Sequence, residues 1–305
     1  MILLIVSLRA CLKTVRVKKG CQSLPLLKPN TKDMIVKYNR MTDIQWQISL
    51  LFLEGNRPRK YSLRDILDAI LYVVRTGVQW RNLPSEFPPY QSVYYYFLKW
   101  RGRDGVLEQL NSMLVSLDRK LDGKEALPSM ACIDCQMVKG GPLVSEDKGI
   151  NGGKIVNGRG RSFLVDTDGR IIGVFVAAAN MHDGASGVEL LKGCQENLAG
   201  LRKIVFDAAY NGVFAKYVRG VLEIEAEVSS RPPTVKGFVA LAKRWVSERT
   251  FGWLNFFRRL DKDHEKTTKS SEAMNLLANI QIMLQRIDRK STMIMTIFNQ
   301  PTFCF

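Results

Sequence analysis

Three carboxylates of this chain occupy positions that call for an explanation. Asp134 lies inside the apolar run of residues 130–136, MACIDCQ, and Asp207 closes another, residues 203–206, KIVF. Strand interiors disfavour aspartate, whose short polar side chain competes with the backbone ladder. For Asp207 an ordinary reason exists, since aspartate at a strand end commonly starts a turn or caps the next helix. For Asp134 that reason is weaker, because Cys132 and Ile133 imply burial. Glu248 is the third. It falls in the middle of residues 241–260, LAKRWVSERTFGWLNFFRRL, which the spacing predicts to be one helix, apolar on most of its circumference, with Val246, Thr250, Trp253, Phe257 and Leu260 as a buried stripe. Arg244 precedes Glu248 by one helical turn and Arg249 follows it directly, so an Arg244–Glu248 pair on an exposed strip is the plain structural alternative.

If the strands of Asp134 and Asp207 are neighbours, the two carboxylates emerge near one sheet edge, where they repel unless a divalent cation sits between them. With Glu248 from a helix packed across those strands, the site offers three hard oxygen donors. Such donors suit Mg²⁺, which keeps water and takes phosphate oxygens as well. Two such ions about 3.5–4 Å apart can clamp the attacking and leaving oxygens of a phosphodiester.

The elements that must position these residues fall into two grammars. From Thr42 to about Leu121 the periodicity is helical. Thr42 or Asp43 caps a first helix running to about Glu54. Ser62 caps a second, with Asp65 as capping-box partner, and Gly77 ends it. A Pro-rich loop with Trp80 and Arg81 leads into the aromatic-basic helix of residues 91–101, and a further helix spans about 105–121. This unit fits a helix-turn-helix-like DNA reader or, equally, a small bundle with an aromatic core. After Leu127-Pro128 the pattern changes to strands. Residues 139–161 are Gly-rich and basic, and Asp168-Gly169 joins two strands as a hairpin. A helix follows from near Ala185, then the strand before Asp207, a helix from about Gly212, a strand at 222–228, the long helix, and a last amphipathic helix at about 271–287. That order predicts an α/β fold, a mixed sheet flanked by helices. The expected divisions are a basic arm or mis-assigned start at 1–38, a helical unit at 39–127, a sheet domain at 128–288 and an unassigned tail at 289–305.

The formal net charge of the 305 residues is +16, which suggests a polyanionic partner. Half of that excess lies in residues 1–40. Cys132-Ile-Asp-Cys135 has the spacing of a zinc or redox pair, but with two histidines in the whole chain and no second cysteine pair, reduced thiols in a cytoplasmic protein are expected. The apolar run at residues 1–8 is too short to span a bilayer, and no membrane role is expected.

Long colinear passages give the chain a resemblance. LRDILDAILYVVRTGVQWRNLPSEFPPYQSVYYYFLKW, IDCQMVK, LVDTDGRIIGVFVAAANMHD, FDAAYNG and RWVSERTFGWLNFFRRLDKDHE are similar to bacterial insertion-sequence transposases of the DDE class, family five of the insertion sequences. The resemblance, over about residues 41–288, implies an RNase H-like catalytic domain behind a helical DNA-binding domain. It implies Asp134, Asp207 and Glu248 as the catalytic, metal-binding acids, with two Mg²⁺ ions for which Mn²⁺ can substitute. It implies hydrolysis at the ends of a mobile element and joining of the 3′ hydroxyl to target DNA by a homodimer or higher oligomer on double-stranded DNA. An inactive DNA-binding remnant and a metal-dependent nuclease that cuts without joining are the alternatives. Arg244 matches the arginine of the family's signature around the glutamate, whereas Asn255 replaces its lysine, a role open to Arg258 and Arg259. Lys139, Lys154, Arg159, Arg161, Arg244 and Arg249 are the expected phosphate contacts. The Gly-rich loop also departs from the family's usual run of basic residues, at Asn151, Ile155, Asn157, Gly160 and Ser162.

Overall fold

A computed structural model describes residues 38–53, 59–102, 105–229 and 242–298. All but the last residue of the basic arm expected at 1–38, and the end of the tail, residues 299–305, lie outside the described residues. So does the side chain of Arg244.

Helices α1 (Asp43–Leu50), α2 (Leu63–Thr76), α3 (Tyr90–Gly102) and α4 (Val106–Leu121) come first. Thr42 caps α1 in a full capping box with Gln45, and α1 ends at Leu50, short of the expected Glu54, which lies outside the described residues. Ser62 caps α2 by accepting from the Arg64 N–H, but Asp65 is no capping-box partner. Its side chain is shorter than the Glu or Gln the box uses, and it pairs with Arg40 at 3.0 Å instead. Gly77 closes α2 in the left-handed conformation, φ 73°, as its position after the last periodic residue predicts.

The sheet has six strands: β1 (Met130–Lys139), β2 (Gly149–Asn151), β3 (Val156–Asp166), β4 (Ile171–Ala178), β5 (Lys203–Phe206) and β6 (Glu225–Val228). Antiparallel β1–β3–β4 continues into parallel β1–β5–β6, the mixed arrangement expected, and β2 extends the edge beside β3. The Gly-rich segment is therefore less of a loop than its composition suggests, because residues 156–161 run as strand. Helices α5 (Asp183–Gly193) and α6 (Val213–Gly220) cover one face, where Ile133, Leu164, Ile204, Phe206 and Phe214 pack.

The other face receives α7 (Ala242–Leu254) and α8 (Thr268–Phe298). The predicted helix of residues 241–260 is shorter than expected. The backbone turns extended at Phe257, and a 3₁₀ turn follows at Arg258–Leu260. This bend buries Phe257 and Leu260 and brings the next segment over the sheet, where Arg75 lies 5.2 Å from the Phe257 ring. Tertiary burial outweighs local propensity there. Helix α8 also runs well past the expected 271–287. It contacts α1, α2, α3, α4 and β4, so the described residues from Arg40 onward form one compact unit, and the change of grammar at residues 127–128 is no break in packing.

A buried ionic cluster fixes that packing. The Arg170 guanidinium donates to Asp118 at 2.7 Å, Asp166 at 3.0 Å and Asp168 at 2.5 Å, and also meets Asp122. Arg119 reaches Asp166 at 2.5 Å, and Lys290 of α8 reaches Asp118 at 2.6 Å. Charges removed from water need this degree of pairing. Asn279 and Asn111, both buried, join α8 to α4 nearby at 2.6 Å.

Cys132 and Cys135 are both buried, and three residues apart on a strand their side chains face opposite sides of the sheet. A shared zinc or disulfide is thereby excluded. No helix among the described residues is long and apolar enough to cross a membrane.

Glu272 of α8 accepts the Val176 N–H at 2.9 Å. Burial pushes its carboxyl up to about 7 from its usual 4.5, and the Glu108 carboxylate adds to the push. The folded state therefore binds this proton more tightly than the unfolded chain, so the group's contribution is full below about pH 4.5 and is lost as pH rises through 7. Glu272→Gln keeps the acceptor. It should flatten the loss of thermal stability across that window and raise stability at pH 8 by up to ~3 kcal/mol. A variant that melts with the parent's pH profile would exclude Glu272 as the source.

Candidate active site

Strands β1 and β5 run parallel with Cys132 opposite Val205. Two residues further on, Asp134 and Asp207 stand at equivalent positions. Alternation puts Cys132, Asp134, Val205 and Asp207 on one sheet face, at the carboxyl end of the parallel pair. Open α/β sheets place ligands at such ends. One narrow cleft is lined by both aspartates, Ser229 and Ser247.

The same face receives α7. Asp134 is paired across the antiparallel ladder with Phe163, so both side chains point the same way, and the Phe163 ring meets Phe251 of α7 at 5.5 Å. Glu248 lies one turn before Phe251 and next to Ser247 of the cleft. It is exposed. The hairpin after β3 sets the height of α7. Gly169 is left-handed, φ 82°, and a Cβ there would lie 2.6 Å from Thr250 Oγ1 and 2.7 Å from the Trp253 ring. The buried Thr250 hydroxyl donates to the Gly169 carbonyl at 3.2 Å.

Both aspartates are oriented by backbone donors. The Cys135 N–H reaches Asp134 Oδ1 at 2.8 Å, and the Ala209 N–H reaches Asp207 Oδ1 at 3.0 Å, so Asp207 also fills the turn-starting role open to it. The second oxygen of Asp207 makes no hydrogen bond among the described residues. Among those residues, no three His, Cys, Asp or Glu side chains form a ready metal cluster. The aspartate pair nevertheless fits Mg²⁺, which needs one or two carboxylates beside water and phosphate oxygens.

The expected phosphate contacts divide. Lys139, at the end of β1, and Lys154, in the turn before β3, are exposed. Arg159 and Arg161 are fully buried, which corrects their assignment to DNA. Arg159 donates to the carbonyls of Glu265 at 2.9 Å and Lys266 at 3.0 Å and pairs with Asp263 at 3.3 Å. Arg161 donates to the Leu260 carbonyl at 2.8 Å, and burial pushes its guanidinium below the usual arginine range. Both fasten the chain that follows α7. Arg249 is held between Trp245 and Trp253, 4.7 and 4.8 Å from their rings, with Arg286 at 4.5 Å from Trp253.

Sequence reasoning treated Asp183 only as part of a helix start. The structure brings it into the electrostatic reach of Asp207 and Lys154. Burial raises its carboxyl; Lys154 opposes that, and Asp207 adds to it. The signal available was His182-Asp183 after a strand, with His182 capping α5 through Nδ1 at 3.0 Å.

Two family models match the chain. Residues 41–111 match a model described as a transposase of the IS4/5 family, and residues 125–283, just over half the chain, match one described as a transposase DDE domain. The chain is also similar to an uncharacterized protein, y4sN, of Sinorhizobium fredii (strain NBRC 101917 / NGR234). The two are 33% identical over 86 residues, which is 27% of this chain and 66% of that relative.

Gly169→Ala tests how α7 is seated. It imposes a left-handed alanine and a clash with Thr250 and Trp253 together, so it should cost about 1–3 kcal/mol in urea unfolding. An unchanged urea midpoint would show that the hairpin does not set the helix.

Proposed function

This chain belongs to the DDE transposases of the IS4/5 type, and from that premise we propose that it binds the ends of its own mobile element, hydrolyses phosphodiester bonds there and joins the freed 3′ hydroxyls to target DNA. The observation that carries this reading is the pairing of Asp134 with Asp207 at the carboxyl end of β1 and β5, beneath the helix of Glu248. These three residues would hold the divalent metal, Mg²⁺ or Mn²⁺. When bound, two such ions lower the pKa of attacking water and stabilise charge on the leaving oxygen. The chain's own part is placement. Backbone N–H groups fix the rotamers of both aspartates before DNA arrives. The seating of α7 on Phe163 and Gly169 fixes the helix that brings Ser247 to the cleft and carries Glu248 beside it in sequence. Lys139 and Lys154 offer exposed charge to phosphates, and Arg249, stacked between tryptophans beside Glu248, offers a cation of restricted orientation. A homodimer or higher oligomer holding two element ends would complete the reaction.

End recognition is assigned to the helical unit. Its most DNA-like feature is a basin of about 430 Å³ between residues 59–61 and α3, where Arg59, Lys60, Tyr61, Tyr95 and Tyr96 gather without a carboxylate. Deleting the unit would not test this, because α8 would lose the partners that bury it. Point changes will. Arg59→Gln with Lys60→Gln should weaken binding to element-end DNA and lower the slope of log affinity against log salt by about two. An unchanged slope would remove these residues from the interface.

Asp134→Asn, Asp207→Asn and Glu248→Gln test the chemistry on labelled element-end DNA with Mg²⁺. Each should lower cleavage on the order of a thousandfold or more, because ligands of one metal site act as a unit. DNA affinity should persist. Exposure of Glu248 means its variant should melt within about 2 °C of the parent. Cleavage surviving in Glu248→Gln, together with a lowered melting point, would make Glu248 a structural residue. Cleavage without joined product in the parent protein would make the chain a nuclease, and binding alone an inactive remnant.

A further inference from the structure

A second concavity lies away from the carboxylates. A cavity of about 620 Å³ opens between the helical unit and the end of β1. Its walls carry three aromatic side chains, Trp80, Tyr90 and Tyr94, and three basic ones, Arg81, Arg259 and His264, with no carboxylate in the lining. The volume lies within the roughly 300–1,000 Å³ of small-ligand sites. Trp80 is braced from behind by Phe97, 5.2 Å between ring centroids, and Tyr94 stands edge-on to it at 5.3 Å. The aromatic wall is thus rigid, yet Tyr94 remains 39% exposed, and Leu143 forms a rim that is 77% exposed.

The charges are unequal. Arg259 gives its Nε to Glu265 at 2.7 Å, and His264 meets Asp261 at 3.1 Å. The Arg81 guanidinium makes no hydrogen bond or ion pair among the described residues and is exposed. An aromatic wall with an uncommitted guanidinium at its mouth matches one kind of group closely: a planar base whose phosphate stays outside. Aromatic faces accept any base by stacking, but only a base that has left its own stack presents a face.

The position fits a DNA path. Gly141, in the pocket wall, comes just after the end of β1 and seven residues beyond Asp134, and Gly140 and Gly141 are pinned beside Asp263. At about 3.3 Å per residue those seven steps put the pocket wall within about 23 Å of Asp134. Duplex DNA rises 3.4 Å per pair, so that span is at most about seven base pairs.

We propose that this pocket takes one unstacked nucleotide of bound DNA, within about seven positions of the phosphate at the carboxylates. Trp80 and Tyr94 receive the base, and Arg81 its phosphate. The proposal rests on the transposase reading and adds a second point of grip to it.

The test uses the full chain and 30-base-pair duplexes that carry one 2-aminopurine, either paired or opposite an abasic site. The parent protein should bind the duplex with the unpaired base about tenfold more tightly, a typical effect of one stacked base, and quench its fluorescence. Tyr94→Leu should lose both the preference and the quenching while binding paired duplex as the parent does. Leu143→Glu changes only an exposed rim residue, so its fold is not at risk, and it should reduce the preference by repelling the phosphate. Asp134→Asn should keep preference and quenching intact. Equal affinity of the parent for the two duplexes overturns the pocket and leaves the transposase reading standing, as does a preference that survives in both Tyr94→Leu and Leu143→Glu. A parent that binds neither duplex overturns both.

Discussion

The guanidinium of Arg170 is the constraint on which the rest of the molecule leans. It sits at the hairpin between β3 and β4, almost without solvent, and is shared among carboxylates from α4 and from the hairpin itself. Asp166 also accepts the N–H groups of Asp168 and Arg170, both at 2.9 Å, which shapes the turn that carries Gly169. That glycine in turn sets where Thr250 and Trp253 rest, and so the seat of the helix that carries Glu248. An ion pair buried this deeply is a poor source of net stability, but removing one partner is expensive, so it specifies one arrangement of the elements over others.

The basic residues of the sheet show why charge alone is a poor guide to DNA contacts. Arg159 and Arg161 occupy alternate positions of β3, on the face that also carries Asp134. The chain that leaves α7 crosses over them, and its carbonyls and Asp263 satisfy them. They are scaffold for the segment behind Glu248. Of the expected phosphate contacts in the sheet domain, those that remain for a polyanion among the described residues are Lys139 and Lys154, at a strand end and a turn, and Arg249 on α7.

The strands of Asp134 and Asp207, the Asp168-Gly169 hairpin and the Gly77 helix stop were legible in the sequence, because each rests on local rules of periodicity or turn chemistry. The mixed sheet was legible from the order of its elements. What stayed hidden is non-local. The bend at Phe257 contradicts a strong helical pattern, and only the sheet beneath it explains the break. The buried state of Arg159 and Arg161 depends on a segment about a hundred residues later. Asp65 passed as a capping-box partner until Arg40 appeared beside it. Asp183 looked like a helix start, because nothing within its own stretch reveals that Asp207 lies near.

Helix α8 follows every other described element in the chain, yet it fills the space between the helical unit and β4. Gln45 of α1 finds Asp288 of α8 at 3.1 Å across 243 positions of sequence. A ribosome making this protein therefore releases α1 to α4 long before their packing partner exists, and contacts of such range make folding slow. Nascent chains stopped before residue 268 expose the apolar faces of α2 and α4, which marks them for proteases and chaperones. Only a chain translated through the last helix closes the core against which α2 and α4 pack.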